Sequence, residues 1–120
     1  MQVKDKVAIV TGGSNGIGAA LCRKLSQKKA RAVVVADIDV KGAQTLADEI
    51  GGLAIQCNVA REEEIFKLVR QTEDHFGPVD LFFSNAGIMI QGLLEVSNAD
   101  WQRIWEINGM SHIYGARAVI

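Results

Sequence analysis

Apolar residues enter this chain in two alternating rhythms. Short uninterrupted runs open each cycle: Val7-Ala8-Ile9-Val10, then Ala32-Val33-Val34-Val35-Ala36, then briefer ones near Leu53 and Val79. Runs of this length, rich in β-branched residues and bounded by charge or glycine, predict strands, the second one covered on both faces. Between them apolar positions recur three and four apart, the period of a helix with one buried face. The pattern predicts strands over 6–11, 31–36, 53–57 and 79–83, with helices over 16–29, 40–50, 61–76 and 98–119. Ile17, Ala20, Leu21 and Leu25 form the expected sheet-facing stripe of the first helix. Leu46 and Ile50 serve the second, and Ile65, Val69, Thr72 and Phe76 the third.

The punctuation agrees with the rhythm. Gly51-Gly52 provides a glycine-rich helix end, Gly77-Pro78 stops the third helix, and Lys28 and Lys29 put cations in the last turn of the first. Glu62, Glu63 and Glu64 crowd a first turn, where negative charge is favourable. Ser97 followed by Asp100 has the form of a helix N-cap. Strict strand–helix alternation implies an α/β fold, a doubly wound parallel sheet with right-handed crossovers and helices on both faces.

Composition changes this picture little. At 120 residues, 48% hydrophobic and 22% charged, the chain is of a size for one globular domain, without repeat or linker. A net charge of −1 points away from nucleic-acid and anionic-membrane partners. No apolar run approaches the ~18 residues that would span a bilayer. The N-terminal Met-Gln-Val-Lys-Asp-Lys carries no apolar signal core, which predicts a cytoplasmic protein. Cys22 and Cys57 have neither CxxC spacing nor a neighbouring histidine pair; two reduced, buried thiols and no metal site are expected.

Chemistry gathers at Thr11-Gly12-Gly13-Ser14-Asn15-Gly16-Ile17-Gly18, between the first strand and the first helix. Glycine permits a tight turn and a close backbone approach, and the helix start offers free N–H groups and a positive dipole end to a pyrophosphate. Asp37 follows at the end of the second strand, 19 positions after Gly18, where an acid accepts from ribose hydroxyls and repels a 2′-phosphate. Asp39 is the neighbouring alternative. Asn15, where a basic residue could have met an extra phosphate, also favours NAD over NADP. Asn108 sits inside a predicted helix, where asparagine competes with the backbone; followed by Gly109, it predicts a local distortion.

These stretches together resemble the short-chain dehydrogenase/reductase family, along essentially the whole chain. Its TGxxxGxG fingerprint is matched by residues 11–18, and its NNAG turn by Ser84-Asn85-Ala86-Gly87, with serine in the first place. Its acidic-Val pair after the third strand is represented by Asn58-Val59. The resemblance implies a Rossmann-type sheet in the order 3-2-1-4 and a nicotinamide cofactor. Gly12, Ser14, Asn15, Gly16, Ile17 and Gly18 would then line the pyrophosphate and adenosine ribose, with Asp37 holding the ribose hydroxyls. Asn58 would accept from the adenine through its carbonyl, more weakly than the family's usual Asp, and Val59 would use its backbone. Asn85, Ala86 and Gly87 would lie beside the nicotinamide ribose. Asn108 looks like the family's catalytic asparagine, which holds a water in a proton relay.

The family's Ser and Tyr-x-x-x-Lys have no counterpart. Tyr114, the only tyrosine, is followed four positions on by Ala118 and reads as a helix packing residue; Arg117 does not substitute for the lysine. His75 and His112 read as isolated surface or core residues. The expectation is therefore the cofactor-binding part of an NAD-dependent oxidoreductase acting on a secondary alcohol or ketone, stopping before a fifth strand and inactive alone. The fourth strand would be an open edge and stability marginal. The alternative is a non-catalytic short form that binds nucleotide, or pairs with full-length subunits or copies of itself through the last helix. There Trp101, Trp105, Ile113 and Val119 supply apolar surface. A methyltransferase shares the glycine loop and strand-end acid, but the Thr11 start and the Ser84–Gly87 turn separate the two.

Overall fold

A computed structural model describes residues 2–88, 92 and 94–120. Four parallel strands, β1 (Val7–Thr11), β2 (Ala32–Asp37), β3 (Leu53–Gln56) and β4 (Leu81–Phe83), form one sheet in the order β3-β2-β1-β4. Helices α1 (Gly16–Gln27), α2 (Val40–Ile50) and α3 (Glu62–Phe76) make the crossovers, and α4 (Asn98–Trp105) runs through a π-helical turn at Glu106–Met110 into α5 (Ser111–Val119). This is the expected Rossmann-type architecture. No helix among the described residues is long and apolar enough to cross a membrane.

The runs of valine and isoleucine become strands because both of their faces are covered. All of β1 is buried, and it pairs with β2 from Val7↔Ala32 to Thr11↔Ala36. Alternation then splits the core. Ala8, Val10, Val33 and Val35 pack under α1 and α2 with Ala19, Cys22, Leu25, Ala43, Leu46 and Ala47. Ile9, Val34 and Ala36 face the other way, against Ile65, Leu68 and Val69 of α3. Tyr114 and Ala118 of α5 close that second layer, so Tyr114 is a packing residue as expected. Burial of such apolar surface supplies the main stabilising term, at about 25 cal/mol per Å².

Local signals mostly fall where the sequence puts them. Gly51 ends α2 in the left-handed conformation (φ 69°), and the Ser97 side chain accepts from the Asp100 N–H at 3.2 Å. The helix around Asn108 and Gly109 is widened by the π-helical turn, the distortion expected there. Three expectations are corrected. The buried stripe of α1 is Gly18, Ala19, Cys22 and Leu25, leaving Ile17 and Ala20 exposed. Small residues let the helix lie close on the sheet, a packing a search for large apolar residues overlooks. The same helix ends at Gln27, with Lys28 as its C-cap and Lys29 beyond it at φ 65°. And β4 begins at Leu81, because Asp80 already pairs with Val7: its N–H donates to the Val7 carbonyl (2.9 Å), while its carboxylate accepts from the Val7 N–H (2.8 Å).

Candidate functional site

The strand order reverses direction at β1, whose neighbours β2 and β4 send their following loops apart at the carboxyl edge of the sheet. Open α/β sheets hold their ligands at such a point. Here it contains a cleft of about 380 Å³. Gly12, Asn15, Gly16 and Ile17 form one wall, Asp37 and Ile38 the outer end, Cys57, Asn58 and Val59 the flank beyond β3, and Asn85, Ala86, Gly87, Ile88 and Ile107 the opposite end.

Most of the residues singled out in the sequence therefore converge on one space. Ser14 and Gly18 do not line it, and act on it from behind. Ser14 donates to Asp37 Oδ2 through both its N–H (3.1 Å) and its hydroxyl (2.7 Å), while Asp39 N–H donates to Asp37 Oδ1 (3.0 Å). Both carboxylate oxygens are thereby oriented before any ligand arrives. Asp39 is spent elsewhere: its side chain caps α2 by accepting from the Gly42 N–H at 3.1 Å. A Cβ at Gly18 would stand 2.1 Å from the Gly12 carbonyl oxygen and 2.7 Å from Asn85 Nδ2, so glycine is what allows helix, loop and far wall to meet.

Gly12 and Gly16 both adopt positive φ, 63° and 56°. A Cβ at Gly12 would press on Ala86 at 2.8 Å, whereas around Gly16 there is open space. That open space lies at the first turn of α1, where unpaired N–H groups and the helix dipole favour an anion. The cleft wall thus fits a phosphate-bearing ligand, and among the described residues its lining includes no lysine or arginine.

On the flank, Asn58 donates its N–H to Glu64 Oε1 (2.9 Å), and its side-chain Oδ1 accepts from the Ala60 N–H (3.0 Å). The carbonyl expected to face a ligand is engaged in an Asx turn. Cys57 touches the cleft but is buried, and burial, with the Glu64 carboxylate adding to it, pushes its thiol up to about 12. Burial likewise raises Cys22 to about 11. Both stay protonated thiols at neutral pH.

The opposite end hangs from Thr11 and Asn108. The buried Thr11 hydroxyl accepts from the Asn85 and Ala86 N–H groups (3.0 and 3.2 Å) and donates to the Phe83 carbonyl (3.3 Å). Asn85 Nδ2 donates to the Gly12 carbonyl at 3.2 Å. Asn108 grips the backbone of Ile88 from both sides: Oδ1 accepts its N–H (2.8 Å) and Nδ2 donates to its carbonyl (2.6 Å). Asn108 lines an adjoining open hollow with Ser84 and His112 rather than the cleft proper. His112 is not isolated: its Nδ1 shares a 2.5 Å hydrogen bond with Ser84 Oγ. Arg117 pairs with Glu62 at 3.0 Å.

Sequence reasoning missed Ile38, Cys57, Ile88 and Ile107 in the cleft. Ile38 carried a signal, an apolar residue directly after a strand-end acid; the others depend on how distant segments meet.

Comparison with known proteins agrees with this fold. The family model described as short chain dehydrogenase matches residues 6–120. The chain is 38% identical to tropinone reductase-like 2 of Erythroxylum coca, over 97% of this chain and 44% of that protein. It is 36% identical to a (+)-cis,trans-nepetalactol synthase of Nepeta racemosa, over 89% of this chain and 41% of that one. It is 37% identical to the mitochondrial (−)-isopiperitenol/(−)-carveol dehydrogenase of Mentha piperita, over 89% and 43%. The chain thus spans less than half the length of these curated relatives.

Proposed function

Since the chain belongs to the short-chain dehydrogenase family, we propose that its cleft binds a nicotinamide dinucleotide, NAD in preference to NADP, within an oxidoreductase acting on a secondary alcohol or ketone. When bound, that cofactor supplies the hydride chemistry. The observation that carries the reading is the convergence of the segments that follow all four strands on one cleft, with a pre-oriented carboxylate at its outer end. The pyrophosphate belongs at Gly12, Asn15, Gly16 and Ile17, with Ser14 and Gly18 holding the loop in shape. Asp37 takes the adenosine ribose hydroxyls, Asn58 and Val59 flank the base, and Asn85, Ala86 and Gly87 flank the nicotinamide ribose. Asn108 steadies Ile88 at that end, and the relay role is proposed for it from the family resemblance alone. A carboxylate at Asp37 and a lining without basic residues disfavour a 2′-phosphate.

Tyr114 packs against the sheet, so residues 1–120 are proposed to bind the dinucleotide without turning over an alcohol. Calorimetric titration tests the reading. NAD binds the chain at least about tenfold more tightly than NADP, and Asp37→Ala narrows that gap. Failure of both dinucleotides to bind overturns it.

A second reading rests on the last helical segment. Trp101 and Trp105 are 51% and 56% exposed, and Ile113 and Val119 are also exposed. Such a surface suits contact with another subunit, full-length or a second copy. Light scattering should then detect an oligomer that Trp105→Glu disperses; a monomer at every concentration counts against it.

A further inference from the structure

We infer that β3 and α3 frame a second binding site, separate from the cleft, for a small amphiphile that carries one carboxylate on an apolar body. The sheet supplies its floor. All of β1 is buried, and β2 as far as Ala36, whereas Leu53, Ala54 and Ile55 of β3 are only half-buried. The cause is where α3 sits. Its inner stripe of Ile65, Leu68 and Val69 packs on Ile9, Val34 and Ala36, which belong to β1 and β2. Leu53 and Ile55 pack against that cluster without being closed over. Between strand and helix a hollow of about 510 Å³ remains, and it shares no lining residue with the cleft. Its size is that of a small-molecule site, in which an apolar lining surrounds a few polar groups.

The polar groups of the helical wall come from one stripe of α3, where Glu64, Lys67, Gln71 and His75 recur at spacings of three and four. Two of them are already engaged. Glu64 Oε1 accepts from the Asn58 N–H at 2.9 Å, and its Oε2 lies 3.7 Å from Arg61 Nε. His75 Nδ1 donates to the Gln71 carbonyl at 2.8 Å. Lys67 differs: among the described residues no carboxylate pairs with it. The hollow therefore holds one uncommitted positive charge beside an apolar floor. A carboxylate on a hydrocarbon body complements both, and the attraction is stronger at a half-covered wall than in open water. A phosphate dianion suits the hollow less, because the Glu64 carboxylate in the same wall repels each added negative charge. This site neither overlaps the cleft nor depends on what the cleft binds.

The test titrates the full chain with octanoate, below the concentration at which it forms micelles, and follows backbone amide and tryptophan indole shifts. Octanoate saturably moves the amides of Ala54, Gln56 and Lys67 and leaves those of Gly12 and Asn85 in place. Octanol, with the same chain and no charge, binds about tenfold more weakly, the scale of one charge-assisted contact. Lys67→Met weakens octanoate by the same factor and leaves octanol unchanged, while Lys67→Arg retains octanoate binding. Lys67 is exposed, so neither variant threatens the fold. If octanoate moves only signals of the cleft or of Trp101 and Trp105, or none at all, the proposal falls. It falls equally if Lys67→Met binds octanoate as tightly as the wild type, or if octanol matches octanoate.

Discussion

The two ends of the cleft are held in place by different kinds of structure. At the Gly12–Asp37 end, loops leave two fully paired strands, and backbone groups do most of the holding: Gly13 N–H to the Ala36 carbonyl (3.3 Å), and Ser14 and Asp39 N–H to Asp37. At the Ser84–Ile88 end, the loop leaves a three-residue strand whose side chains are only half-buried. Its shape comes from side chains that reach over from elsewhere: Thr11 from β1, Asn108 from the π-helical turn, His112 from α5. The first end inherits its rigidity from sheet register. The second is propped, and each prop can be removed without unmaking the sheet.

Gly18 joins the two ends, and the largest effect is expected there. Gly18→Ala forces a methyl group onto the Gly12 carbonyl and the Asn85 amide, which costs about 3 kcal/mol by overpacking and disturbs both ends at once. Urea unfolding should report the loss, and dinucleotide binding should disappear with it. Thr11→Val comes next. It leaves the Asn85 and Ala86 N–H groups without their acceptor, at a cost of about 2 kcal/mol. Amide exchange should quicken at Asn85 and Ala86 while that of Ser14 stays slow. Asn108→Ala has the smallest effect on stability, below about 1 kcal/mol. The residue is exposed and alanine is the better helix former. Exchange at the Ile88 amide should nonetheless rise. A stability loss for Asn108→Ala as large as that for Gly18→Ala would erase the distinction between a register-held end and a propped one.

The same distinction explains how much was legible in the sequence. The β–α alternation, the Gly51 and Ser97 caps and the distortion at Asn108-Gly109 are local, and local chemistry writes them into neighbouring residues. Strand order came with the family resemblance, since periodicity alone does not rank strands within a sheet. The glycine loop and Asp37 could be paired because a helix and a strand of ordinary length separate them. The bond between His112 and Ser84 could not, because it depends on how α5 settles against β4. Asn58 was recognised by position, but its turned amide depends on an N–H two residues away that no residue type announces. The stripe of α1 was misplaced for a simpler reason: Gly18, Ala19 and Cys22 bury well by being small, and Ile17 was given a place in the core that it does not occupy.

Gly115 extends the account of the propped end. A Cβ there would stand 2.7 Å from the Phe82 ring, so the absence of a side chain fixes how near α5 can come to β4. Asn108 lies seven residues earlier, about 10 Å along the same helical segment. The segment therefore meets this end of the cleft at two points, Phe82 and Ile88. Bulk added at Gly115 is expected to displace the segment and weaken the Asn108 bonds to Ile88, read as faster exchange of the Ile88 amide, while the Gly12–Asp37 end stays as it is.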